Sequence, residues 1–537
     1  MRNSRIILAK NINLDRNYKN VLNYTESQML ALVNANKIGE SSFNSFIRQN
    51  GNSIATNFTY NQALQANYIA FQNPDYSQKW FFAWIDEIIY KNDSNIEIRY
   101  TIDAWSTWFE KLQLKNCFIV REHVSDDTIG ANTVPEDLST GEMISDWVRT
   151  PNIFGSESYF WLVCASNWEP AFGGVTAGRY AQSWIYGGYP QASAWFAWAI
   201  NWNNPSDLQS FNDWLQQVTI EQHADDIQAV FALPYDAFNL TGDIDPDTHK
   251  VLNGKGIKYN EDYNIPIDVM HSFIDTDTSE TIPVKNNKLY CYPYNFLRVT
   301  NNSGSFNDYY IEDFAPDVLG NYGFNCVGVP CIGYSGKIRP KNYRGVTLNE
   351  DESLALGKYP TLSWATDAYI NWLTQNAVNM AVNAIGGSAT SAVAFATGHA
   401  VTGTLSVAGL IGNSIGQIEK ASQLPNTAQG NANQGDVSFA FNLIRFKFQK
   451  IRPKKEYIQI LDSYFTRFGY KVNRLGTPNL TSRQYWNYVE IGQGEQVGYG
   501  EIPSMFLQKI NNAFESGVTV WHNHSSIGNY ELNNSIV

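Results

Sequence analysis

Charge is what this sequence has least of. Only 17% of its 537 residues are Asp, Glu, Lys or Arg, against 14% aromatic, so surface polarity has to come from amides and hydroxyls. That mixture suits β-rich chains with large interfaces. Histidines number seven and cysteines five. Cys117, Cys164, Cys291, Cys326 and Cys331 are odd in number, and only the last two lie close together, without the CxxC spacing of a zinc site. They read as reduced core residues. No GxSxG, HExxH, P-loop or GxGxxG occurs, which removes the local signatures of esterases, zinc proteases and nucleotide-binding enzymes. His522 and His524, at i, i+2, would share one side of a strand, yet no third metal ligand is spaced to join them. No catalytic, cofactor or metal site is assigned. Carboxylate pairs of the glycosidase kind leave no local signature, so a hydrolase stays open as a rival. The first residues carry an apolar run too short for a signal peptide core, and synthesis in a cytoplasm without a secretion address is expected.

The length predicts two to four structural units. A net charge of -13 and a pI near 5.1 argue against a tight nucleic-acid binder, which needs clustered cations to displace counterions. They do not argue against a DNA conduit, whose wall should repel phosphate weakly. Between Trp80 and Asp103 the pattern has period two, with Ile96, Ile98, Tyr100 and Ile102 alternating with Glu97, Arg99, Thr101 and Asp103 after a turn at residues 91–95. That is a hairpin with one wet face. Farther on, Leu208, Phe211, Leu215 and Val218 form a helical stripe with Ser206 as N-cap. Asp243, Asp245 and Asp247 invite a calcium reading, but Thr248 and Gly254 stand where an EF-hand needs Gly and Glu, which leaves a solvated acidic loop or channel wall.

Residues 368–418 contain no Asp, Glu, Lys or Arg. Such a stretch is too rich in Asn, Ser and Thr for a simple membrane anchor and too long for an ordinary loop. Every fourth residue is small: Ala384, Ser388, Ala392, Ala396, Ala400, Thr404, Ala408, Gly412 and Gly416. On a helix these form a ridge that lets backbones approach closely, as in lipid-embedded contacts. Two readings compete, a buried or disordered Gly/Ala-rich stretch and a conditionally membrane-active hairpin; Gly386, Gly387 and Gly403 suit a folded-back form. After a linker at residues 425–435 the charge reverses: Arg445, Lys447, Lys450, Arg452, Lys454 and Lys455 interleave with Phe446, Phe448 and Ile451. This predicts a strand with a basic outer face, suited to the acidic region of a neighbouring subunit. Trp195, Trp198 and Trp202, at helical spacing, and Trp214 read as a packed face in preference to a saccharide platform.

Three groups of residues carry a resemblance. One is residues 68–81 (Tyr-Ile-Ala-Phe-Gln-Asn-Pro-Asp-Tyr-Ser-Gln-Lys-Trp-Phe) with 118–124 (Phe-Ile-Val-Arg-Glu-His-Val); the second is 465–474 (Phe-Thr-Arg-Phe-Gly-Tyr-Lys-Val-Asn-Arg) with Pro478, Asn479, Leu480, Arg483, Asn487, Tyr488 and Val489; the third is 517–522 (Gly-Val-Thr-Val-Trp-His) with 527–530 (Ile-Gly-Asn-Tyr). Together they resemble the tail knob proteins of small short-tailed Picovirinae-type phages, thinly between Asp126 and Asp367. The resemblance implies a mainly β chain with α+β parts, tail-hub-like β-barrel domains forming a ring, and a helical or Gly/Ala-rich apolar insertion. It implies a homo-hexamer that joins other tail and connector proteins in the distal tail of the virion, passes double-stranded DNA without reading it, and meets the host membrane transiently. The lumen plug and membrane-active loop would then contain Ala384, Ser388, Ala392, Phe395, Ala396, Ala400, Leu405, Leu410, Ile411, Gly412 and Gly416. Phe465, Phe468, Tyr470, Trp486 and Tyr488 would be barrel core, with Gly469 and Gly528 at turns. The expected division is 1–135, an N-terminal β-rich ring domain; 136–350, an aromatic- and acid-rich α+β middle; 351–435, the apolar insertion with its linker; and 436–537, a C-terminal β-rich part packing with the first. The rivals are a tail-associated cell-wall glycan hydrolase and a receptor-binding tail appendage.

Overall fold

The computed structural model describes residues 4–43, 48–49, 52–73, 78–151, 159–179, 194–201, 204–223, 226–235, 238, 242–252, 259–301, 304–328, 336–355, 361–362 and 446–537. Residues 368–418 lie outside them, and with them the whole ridge from Ala384 to Gly416 together with Phe395, Leu405, Leu410 and Ile411. The chain is mainly β, as expected. It divides into two compact units made of discontinuous pieces. One takes Met1–Met143, Ile282–Tyr294 and Pro453–Val537, the other Ile144–Thr281 and Asn295–Arg452.

In the first unit a seven-stranded sheet runs in the order Lys37–Phe43, Ser4–Ala9, Tyr68–Asn73, Lys79–Asn92, Asn95–Ile102, Ser53–Thr56, Arg48–Gln49. The hairpin expected near Trp80 is its fourth and fifth strands, closed by Asn92 opposite Asn95. Ile96, Ile98 and Tyr100 are buried as the alternation requires. Glu97 departs from the wet face: it is buried and paired with Lys91 at 2.9 Å.

A second sheet of this unit joins the two ends of the chain in the order Asn20–Leu22, Val518–Trp521, Trp486–Ile491, Cys117–Glu122, Tyr470–Gly476. The residue groups from 118, 470, 487 and 517 onward therefore meet in one sheet. Beside it the helix Lys455–Phe468 buries Ile458, Leu461 and Phe465, the i, i+3, i+7 face of an amphipathic helix. Phe465, Tyr470, Trp486 and Tyr488 are core, as expected. Gly469 ends the helix at φ +64°, its N–H bonded to the Phe465 carbonyl at 2.8 Å. A Cβ there would stand 2.2 Å from the Glu122 carbonyl oxygen, so only glycine fits between helix and sheet.

The second unit contains three larger sheets. The first orders Met143–Arg149, Lys447–Pro453, Phe296–Thr300, Phe306–Tyr310; the second Ala194–Asn201, Tyr159–Ser166, Ile227–Pro234, Thr361–Leu362; the third Tyr259–Pro266, Asn321–Gly328, Lys337–Tyr343, Val346–Leu348. Trp195 and Trp198 lie on a strand, not a helix. A strand covered on both faces reads as a continuous apolar run, and an odd spacing sends the two indoles to opposite faces. Trp195 joins the core of Trp161, Phe324 and Phe448, and Trp198 that of Phe211 and Trp214. All three Trp are buried, and Trp202 lies outside the described residues. The helix Gln209–Ile220 does bury Phe211, Trp214 and Val218. Ser206 does not cap it: Pro205–Leu208 form a 3-10 turn that starts after Asn204, with the proline at the first position, where its missing N–H costs nothing.

The acidic row belongs to a turn that occurs twice. Ile244-Asp245-Pro246-Asp247-Thr248-His249 and Ile274-Asp275-Thr276-Asp277-Thr278-Ser279 are built alike. In each, the first Asp side chain accepts the N–H of the second at 3.0 Å, and the last residue has φ near +60° with its N–H on the first Asp carbonyl. Each closes in an antiparallel bridge, Ile244 to Val251 and Ile274 to Thr281. Asp245 also accepts from Thr248 N, so its carboxylate is spent on local N–H donors, which holds its pKa below the ordinary range.

Replacing Gly469 with Ala should cost about 2–4 kcal/mol, from the left-handed backbone and the clash with residue 122 together. A urea midpoint equal to that of the parent would show that helix and sheet are not in the described contact.

Candidate functional site: the anchors of the charge-free segment

The chain leaves the described structure after Thr361–Leu362, which pairs with the edge of Ile227–Pro234, Leu362 opposite Val230 and Thr361 opposite Phe231. It returns at Phe446 and enters the strand Lys447–Pro453. Both anchors belong to the second unit. Phe446 and Phe448 enter its main core cluster, so the returning end is set firmly.

Lys447 keeps the outward parity expected of the basic face and is partly exposed, but two further cations of the strand do not join it. Lys450 and Arg452 share the parity of Phe446 and Phe448 and point inward with them, each 1% exposed at the side chain. Both pair with Asp146, itself fully buried on the neighbouring strand Met143–Arg149: Lys450 Nζ lies 3.0 Å from Oδ1 and Arg452 Nε 2.7 Å from Oδ2. Oδ2 also accepts the Ile274 N–H at 2.9 Å. The surplus positive charge is met by backbone. Lys450 donates to the carbonyls of Val269 (2.9 Å) and Ser272 (2.6 Å), and Arg452 to that of Ile274. Burial pulls the Lys450 ammonium below its ordinary pKa, and Asp146 works against that pull. These cations have their partners inside their own chain, so they are not free for phosphates or for a neighbouring subunit. Arg445 lies outside the described residues. Period-two parity alone already assigned Lys450 and Arg452 to the Phe face; nothing local in the sequence marked Asp146 as their partner.

A second buried network lies in the first unit, where the resemblance groups meet. Glu136, with no exposed side-chain surface, sits between Arg121 and Lys288 and accepts the Lys471 N–H at 2.8 Å. Lys288 also donates to the Val134 carbonyl at 2.8 Å. Tyr470 donates to Asp127 at 2.6 Å, and the Asn286 amide to Asp462 and Thr466 at 2.8 and 2.9 Å. The inserted piece Ile282–Tyr294 is thus bonded to residues on both sides of it in sequence. His123 accepts the Tyr488 N–H on Nδ1 at 2.7 Å and donates from Nε2 to the Thr466 carbonyl at 3.1 Å, which requires the neutral ring. Burial, with Arg483 and Arg121 nearby, lowers its pKa to about 3.

The remaining sequence candidates are structural. His522 bonds Asn487 at 3.1 Å and follows its strand, while His524 opens a 3-10 turn, so the two do not share a strand face. Cys117, Cys164, Cys291 and Cys326 are buried free thiols, and Cys331 lies outside the described residues. Among the described residues no group of three or more His, Cys, Asp or Glu is placed to hold a metal.

Residues 261–535, just over half of the chain, match the family described as the C-terminal domain of the Bacillus phage phi29 tail knob protein gp9. The chain belongs to the phi29-type tail knob family. Residues 2–113 match a second family, the caudoviral major tail protein N-terminus. Tail knob protein gp9 of Bacillus phage phi29 is 25% identical across 99% of this chain and 98% of its own, and that of Bacillus phage PZA 26% across 91% and 90%. The solved tail knob protein gp12 of bacteriophage C1 shares the fold, with a TM-score of 0.62 at 16% identity, covering 99% of this chain and 100% of the other. The tail knob chain described here is accordingly a structural protein of a phage tail, and its place is the tail of the virion.

Removing one partner of a buried ion cluster leaves uncompensated charge. Asp146→Asn should destabilise the chain by about 3–5 kcal/mol in urea unfolding; a loss under about 1 kcal/mol would mean that the two cations are not buried as described. For His123 the folded pKa lies below the unfolded value of 6.5, so the stability that its neutral ring supplies is complete above pH 6.5. It is lost as pH falls from there towards 3, at about 1.4 kcal/mol per pH unit. In NMR spectra of labelled histidine the His123 ring should stay neutral at pH 4.5, and a midpoint near 6.5 would contradict its burial.

Proposed function

We propose that six copies of this chain form the knob or tube at the distal end of a short tail, in contact with other tail and connector proteins. DNA leaves the virion through the lumen without its sequence being read. Residues 368–418 plug that lumen and then insert into the host membrane as a pore. The observation that carries this reading is the complete lack of charge in those residues combined with the ridge of small side chains, hung between two strands of one unit. Apolar segments gathered inside a closed ring bury one another; once the tip meets a bilayer they bury against lipid instead, and the difference in stability between the two states does the work. The ridge lets neighbouring helices pack closely in either setting. The net charge of -13 supports the conduit, since a wall that holds phosphates would stall the DNA. The returning strand is set by Phe446, Phe448 and the Asp146 cluster, so its own setting needs nothing from the segment.

The rival platforms have less support: Trp195, Trp198 and Trp214 are spent on the core and offer no face to a saccharide.

Dye release from liposomes tests the pore. The intact chain should release dye, and a variant lacking residues 377–416, which keeps both anchors, should release at least tenfold less. Equal release by the two would remove the segment from the role.

A further inference from the structure

A pocket of about 290 Å³ in the first unit stands out in this acidic chain, because two cations and no carboxylate line it. One wall is the loop of Arg16, Asn17 and Tyr18 with Trp84 behind it, and the other is the helix Ser504–Glu515 with Lys509 and Asn512. The two cations are not equivalent. Arg16 is committed to Asp86 at 2.6 Å and to the Ile85 carbonyl at 2.8 Å, and Asp86 also accepts from Thr101 at 2.7 Å. Lys509 is half-buried and has neither an ion pair nor a hydrogen bond among the described residues. Its charge is the uncompensated one. The wall facing it is rigid: Tyr18 is held at φ +57°, its hydroxyl accepts the Ala104 N–H at 3.0 Å, and its ring lies 5.7 Å from that of Trp84.

We propose that this pocket binds the phosphate ester of a small polyol or sugar, with Lys509 opposite the phosphate. An unpaired, half-buried ammonium favours an anion. Donors come from both walls, Asn17 on one and Lys509 and Asn512 on the other, which suits the three oxygens of a tetrahedral oxyanion better than the single plane of a carboxylate. The pocket is larger than a bare phosphate, and the carboxamides of Asn17 and Asn512, each both donor and acceptor, match the hydroxyls of an attached polyol.

Calorimetric titration of the full chain tests this, with glycerol 3-phosphate, inorganic phosphate, glycerol and acetate as probes. Glycerol 3-phosphate should bind more tightly than inorganic phosphate, while glycerol and acetate give no binding heat. Lys509→Gln should weaken the ester at least tenfold and leave the ligand-free melting temperature unchanged, and Asn512→Ala should erase the preference for ester over inorganic phosphate. Competition by soluble poly(glycerol phosphate), or by phosphatidylglycerol vesicles, would identify the source of the ester, and either result supports the site. Acetate binding as tightly as the ester, equal binding of ester and inorganic phosphate, or wild-type affinity in Lys509→Gln would each overturn the proposal.

Discussion

One carboxylate, Asp146, bridges two cations on the inward face of the strand that takes the chain back into the second unit, and the setting of that strand depends on it. A buried ion pair is a poor source of net stability, because the cost of taking charge out of water offsets most of the attraction. Its effect is on register. Shifting Lys447–Pro453 by one residue would carry Lys450 and Arg452 to the opposite face and leave Asp146 alone in the core, a far worse state than the native one. The strand also pairs with Phe296–Thr300, Phe296 opposite Ile451 and Val299 opposite Phe448, so the same register sets the sheet beyond it. An anchor defined in this way does not depend on what residues 368–418 are doing.

The first unit solves a related problem of connectivity. Its pieces come from the start, the middle and the end of the chain, and closing such long loops costs entropy that only many pairings can offset. Asn20–Leu22 runs parallel to Val518–Trp521 and supplies one closure; the Cys117–Glu122 strand, between Tyr470–Gly476 and Trp486–Ile491, supplies another. The network of Arg121, Glu136 and Lys288 then holds Ile282–Tyr294. Satisfying every buried polar group in such a network demands one arrangement, and that demand gives specificity where apolar packing alone would tolerate several.

Much of this was legible in the sequence where a pattern is local. The period of two near Trp80, the helical stripe through Phe211 and Val218, and the turn glycine at 469 each express a rule that acts over a few residues, and the structure keeps them. Trp195 and Trp198 misled because a strand buried on both faces has no polar side to betray its period. Lys450 and Arg452 misled for a different reason: composition says that cations face water, while parity says that these two face inward. Parity prevailed because Asp146, some 300 residues away in sequence, stands across the sheet, a pairing that no single-sequence pattern displays. The turn of Asp245 and its counterpart at Asp275 could have been found as a short internal repeat.

The proposed role requires a ring whose lumen carries DNA and is closed by uncharged residues. Electron microscopy of the assembled particle measures this most directly. A six-fold ring is predicted, with a lumen wide enough for duplex DNA and density inside it that disappears when residues 377–416 are removed. A solid trimer, or a ring whose interior is unchanged by that deletion, would contradict it.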